Sequence, residues 1–188
     1  MSIIEELIYD RTQQDVNRAE ELSAKGLTGM TAAEKAEWLS GMKGAYNAAD
    51  LNRVESAADY LQEHLNALPG EILAYLSSLG AADDVFFQVP YEPLALSVKT
   101  DWDMDSIPVL QDMERYLSNV TEVTAAIPIE RALPETMDNL TWQGANEIER
   151  ALSAEYSASL AWEAEKKQYA DNTAAAWFYS GDLFCSEI

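Results

Sequence analysis

The sequence predicts a mainly α fold, an internally duplicated helical bundle of two helix-pair units with one small β-hairpin. Three observations lead there. Capping residues stand ahead of apolar stripes spaced three and four apart. Two period-two runs flank a proline-rich turn near the middle. A shift of 94 residues, half of the 188, lays caps and stripes of the second half on those of the first. With 48% hydrophobic residues, the chain has material for one domain and its core.

Each element follows from local chemistry. Asp10-Arg11-Thr12 offers N-cap side chains to a helix carrying Val16, Ala19 and Leu22, which Lys25-Gly26 ends. Thr31-Ala32-Ala33-Glu34 reads as a capping box, opening a helix with Trp38, Leu39 and Met42 that stops at Gly44. Asn47 caps a longer helix whose seam is Leu51, Val54, Ala58, Leu61, Leu65 and Leu68. Pro69-Gly70 is expected to terminate it, with a short helix following through Ile72, Leu76 and Leu79. Val85, Phe87 and Val89, then Leu94, Leu96 and Val98, alternate about Pro90-Tyr91-Glu92-Pro93, which predicts strands at 85–89 and 94–99. Asp105 or Ser106 caps the next helix, with Pro108 in its first turn and a stripe of Leu110, Met113, Leu117 and Val120. Thr141 caps the last, with Ile148, Leu152, Tyr156 and Leu160, expected to fray near Asp171-Asn172.

The duplication rests on paired positions. Thr12 falls on Ser106, Val16 on Leu110, Ala19 on Met113 and Asn47 on Thr141. Asn52, Val54, Glu55 and Ala57 fall on Asn146, Ile148, Glu149 and Ala151. The resulting division is one domain over 1–188. Pseudo-repeat halves 1–82 and 100–172 are joined by the hairpin 83–99 and followed by an aromatic tail at 173–188.

Charge narrows the function. Twelve basic against 33 acidic residues give −21, with −7 on residues 1–80 and −14 on 81–188. Such a field repels phosphate backbones and anionic lipid, so the expectation is no nucleic-acid and no membrane partner. Cys185 alone makes no internal disulfide or cysteine zinc site, and His64 alone makes no multi-histidine site. No apolar run approaches the roughly 20 residues that span a bilayer, and the N-terminus lacks a signal-peptide pattern. The expected setting is a cytosol.

Candidate chemistry is sparse. Asp101, Asp103, Asp105 and Asp112 occupy the acidic positions of an EF-hand loop. Ser106 replaces its turn glycine, Pro108 removes an amide, and the last ligand is a short Asp, so no Ca²⁺ site is expected. His64 reads as a residue near a helix C-terminus. No GxSxG, phosphate loop or HExxH occurs, so no catalytic residue, metal or cofactor is expected. Trp177-Phe178-Tyr179 are three consecutive aromatics that cannot share one face, so with Tyr91 they are the expected protein-contact residues. Two alternatives stay open: an acidic nucleic-acid mimic, and a small glycan-binding module or enzyme with a groove lined by Trp38, Trp102, Trp142 or Trp162.

The wording of the chain adds a resemblance. The runs Ile8 to Val16, Met30 to Leu39 and Met42 to Glu55 resemble a module carried by prophages of Gram-positive gut bacteria. Lys99 to Trp102, Leu140 to Glu149 and Phe178 to Leu183 resemble it in the same order, so nearly the whole chain is covered. That family is one of phage tail-region and structural proteins. The resemblance implies a tail or virion component acting through a protein partner or self-association, located in the cytoplasm during assembly and then in the virion. It transfers no active-site residues.

Overall fold

The computed structural model describes residues 2–79, 92–103, 105–127 and 129–182, the side chains of 173–182 excepted. These residues form a mainly helical protein. A 3-10 turn at Ile3–Glu6 precedes α1 (Gln13–Gly29), α2 (Ala32–Leu39), α3 (Ala48–Ser78), α4 (Leu110–Thr124) and α5 (Trp142–Asp182). The four caps expected of α1, α2, α3 and α5 act as such. Thr12, Thr31 and Asn47 accept from amides of their first turns, and the Asp15, Glu34 and Asp50 carboxylates return the bond to the cap amides. Thr141 Oγ1 accepts from Gly144 N–H at 3.1 Å.

Packing centres on the long helices. α3 runs along α5, α4 lies on both, and the 3-10 turn closes against α3 and α5. α1 and α2 pack on each other as a lateral pair. The bundle core is thus three helices and not two equivalent pairs. The seam of α3 is buried throughout, with Val54 and Leu61 at 0% exposure, and it meets Tyr116, Val120 and Val123 of α4 and Ile148 and Leu152 of α5.

Several expectations need correction. Pro69-Gly70 does not end α3, which continues to Ser78. An internal proline costs about 3 kcal/mol. Ile72 and Leu76 beyond it, with Leu68 just before it, are buried beside Ala170 and Trp162, and each buried aliphatic contributes roughly 1.5–3 kcal/mol. Packing therefore outweighs the break. α2 stops at Leu39, short of Gly44, and Gly41 takes the left-handed φ of 86° just beyond it. Gly26, at φ 61°, breaks α1 where an end was expected, and a last turn follows to Gly29.

α4 begins at Leu110, beyond Pro108, so neither Asp105 nor Ser106 caps it. Proline drives the residue before it out of helical conformation. Asp112 caps the Val109 amide at 3.1 Å instead. Along α5 the expected stripe leaves the core at Leu160, which is 42% exposed. Steps of four advance about 40° each, so the stripe walks off the face. Nor does α5 fray near Asp171-Asn172; it continues to Asp182.

The second predicted strand, 94–99, is extended but makes no ladder among the described residues. Side chains of α3 take its backbone groups. Asn66 exchanges two bonds of 2.9 Å with Leu94, and Gln62 accepts the Leu96 amide. The first strand, 85–89, and Tyr91 lie outside the described residues.

Seam packing predicts a sharp contrast. Leu61→Ala should cost about 2–5 kcal/mol in urea unfolding. Leu39→Ala, at a site 71% exposed, should change stability by less than about 0.5 kcal/mol.

Candidate functional site

The residues sequence reading missed lie in the interior. Asn52 and Glu55 stand one turn apart on α3, and Asn146 and Glu149 do so on α5. Each pair grips an extended segment with no secondary structure of its own. Asn52 Oδ1 accepts Trp102 N–H and its Nδ2 donates to Trp102 O, both at 2.8 Å, while Glu55 Oε2 accepts Lys99 N–H at 3.0 Å. Asn146 makes the same two bonds to Arg11, at 3.1 and 2.9 Å, and Glu149 Oε2 accepts Ile8 N–H at 2.5 Å. The gripped residues are three apart in both segments.

Charge is balanced around both carboxylates. Glu149 is fully buried and binds Arg11 at 2.6 Å and Arg53 at 2.8 Å, and Asp50 bridges the same two guanidiniums. Desolvation works against the Arg11 charge, but Glu149 and Asp50 overcome it and hold the guanidinium above its ordinary pKa. Glu55 binds Arg115 at 2.7 Å and accepts from Asn119 at 3.3 Å. Burial raises the phenols of Tyr46 and Tyr116, whose hydroxyls bond to each other. Removing one partner from a buried ion pair such as Arg11–Glu149 costs about 3–5 kcal/mol. These groups hold segments in place.

A third carboxylate differs. Glu155 on α5 is fully buried, pairs with Arg131 and accepts Ile127 N–H at 3.0 Å. Burial wins over both partners and pushes its carboxyl up to about 7.

The sequence-stated candidates fall apart spatially. His64 lies mid-helix in α3, not near its end, and bonds Ser159 Oγ at 2.9 Å. Ser159 donates onward to Tyr156 O, and its side chain is buried, so it presents no nucleophile. The EF-hand-like acids diverge. Lys99 holds Asp101 below the usual carboxylate range at 2.6 Å, Ser106 holds Asp103 low at 2.6 Å, and Asp112 caps α4. Trp102 is core, and a cleft of about 430 Å³ at the start of α5 is lined by one tryptophan, Trp142, beside Gln13 and Lys43. Trp177, Phe178 and Tyr179 fall within α5, but their side chains lie outside the described residues.

The surface offers something the stripe reading obscured. On α4 the core face is Tyr116, Val120 and Val123. Leu110, Met113 and Leu117 lie roughly 60–120° round the axis from Tyr116, at about 100° per residue. They floor a groove of about 510 Å³ against the 135–138 loop, with Met137 opposite. Ile107, Val109 and Leu110, at the start of α4, are 85%, 58% and 62% exposed.

No protein-family model, curated protein or solved structure matches the chain.

Glu155 sets a pH dependence. Its pKa is raised on folding, so its stabilising contribution is full below about 4.5 and fades as pH rises through about 7. Carboxyl-carbon NMR should show one glutamate titrating near 7; a midpoint near 4.5 would place Glu155 in water.

Proposed function

We propose that this chain works by protein–protein contact as a phage tail or virion component, without a catalytic centre of its own. The observation that carries the reading is the exposed aliphatic run of Ile107, Val109 and Leu110 at the start of α4, on a chain of net charge −21. Contiguous exposed apolar side chains mark a contact surface more than scattered ones do. The buried cluster of Arg11, Asp50, Arg53 and Glu149 supports it too, because these charges are spent on mutual pairing. The phage assignment rests on the resemblance of the sequence runs at 8–16, 30–39, 42–55, 99–102, 140–149 and 178–183. Tyr91, Trp177, Phe178 and Tyr179 remain proposed contact residues on the aromatic pattern alone.

The same reading includes an internal duplication. Its support is the matched grip of Asn52 and Glu55 with that of Asn146 and Glu149. The exchange is crosswise: the segment before α1 docks on α5, and the segment before α4 docks on α3. The cap equivalence of Thr12 and Ser106 does not support it, since Ser106 lies ahead of α4.

Density-gradient fractionation of a lysate after prophage induction tests the function. The chain should sediment with tails or virions. Recovery only at the position of the free 20.9 kDa chain would overturn the phage reading.

A further inference from the structure

We propose that the groove between α4 and the 135–138 loop receives a basic amphipathic helix from another protein. The inference rests on the contact reading above and adds the kind of partner.

The floor is aliphatic, from Leu110, Met113, Leu117 and Met137. The rim is acidic, from Glu114, Glu135 and Asp138, all of them exposed, and among the described residues no lysine or arginine lines the groove. Leu110, Met113 and Leu117 stand at i, i+3 and i+7, the spacing that meets a like stripe on a second helix. An apolar floor selects an aliphatic or aromatic stripe. Three carboxylates select lysine or arginine on either side of that stripe. A second copy fits poorly, because it brings another −21 and places acid against acid. An anionic lipid surface is repelled for the same reason. Helix-in-groove recognition by a cationic segment satisfies both floor and rim.

The probe is a fluorescent leucine/lysine peptide of about four helical turns, with leucine on one face. Two controls accompany it: the same peptide with leucine replaced by serine, and one with lysine replaced by glutamate. Fluorescence anisotropy measures binding to the full chain. Leu110→Glu is the decisive variant. It adds negative charge, so attraction by charge alone would strengthen, whereas insertion of an apolar stripe should weaken by about 10-fold or more. The site is 62% exposed, so the fold tolerates the change, and circular dichroism checks this. A second pair of variants matches charge. Glu135→Lys with Asp138→Lys should weaken binding far more than Glu20→Lys with Glu63→Lys, two exposed acids elsewhere.

Unchanged or tighter binding to Leu110→Glu, equal loss from both charge pairs, or equal binding of the serine peptide would overturn the groove assignment. So would dimerisation through this face that Leu110→Glu abolishes. Failure here leaves sedimentation with phage particles intact, and failure of that sedimentation leaves groove binding intact, so the two readings fall separately.

Discussion

Everything in the interior turns on the Glu149 carboxylate. It sits at zero exposure with two guanidiniums and a backbone amide on it. A lone buried carboxylate would be prohibitive, and Arg11 and Arg53 remove that cost only if they are held in place. Arg11 comes from an extended segment, Arg53 from α3 and Glu149 from α5. The ion cluster therefore fixes three parts of the chain at once. Asn146 locks the Arg11 backbone, so the guanidinium arrives with little freedom left to lose.

The second grip explains how a helical protein keeps long irregular segments ordered. Backbone amides in the interior need partners, and secondary structure usually supplies them. Here α3 does so with side chains. Asn52, Glu55, Gln62 and Asn66 form a ladder along one face and take the groups of Trp102, Lys99, Leu96 and Leu94 in turn. A period-two apolar pattern at 94–99 is thus the mark of an extended segment lying on a helix. It reads like a strand because its side chains also alternate between core and water.

Local features were legible in the residues. Thr12, Thr31, Asn47 and Thr141 cap because the cap is a short-range bond between near neighbours. The α3 seam was legible because every apolar position faces one partner. Long-range features were not. Nothing local says that Leu76 will find Ala170, which is what carries α3 through Pro69. Nothing local says which of two apolar faces of α4 turns inward, so one stripe holds both Val120, which is buried, and Leu110, which is exposed. The Asn52/Glu55 and Asn146/Glu149 pairs did leave a signal. The same two polar residues flank a buried Val54 and a buried Ile148, and polar residues repeated beside core positions point to interior hydrogen bonds. Matches at a fixed shift point to a duplicated unit and say nothing of which backbone groups those side chains hold. At 85–89, Tyr91 and the side chains of Trp177 to Tyr179, the sequence pattern stands alone.

Amide hydrogen exchange tests the central claim most directly. Ile8, Arg11, Lys99 and Trp102 lie outside helices, yet helix side chains hold their amides. The account predicts that these four exchange about 100-fold or more slowly than an unstructured peptide. Asn146→Ala should release Arg11, and Asn52→Ala should release Trp102. Exchange of all four at unstructured rates in the unaltered protein would contradict it.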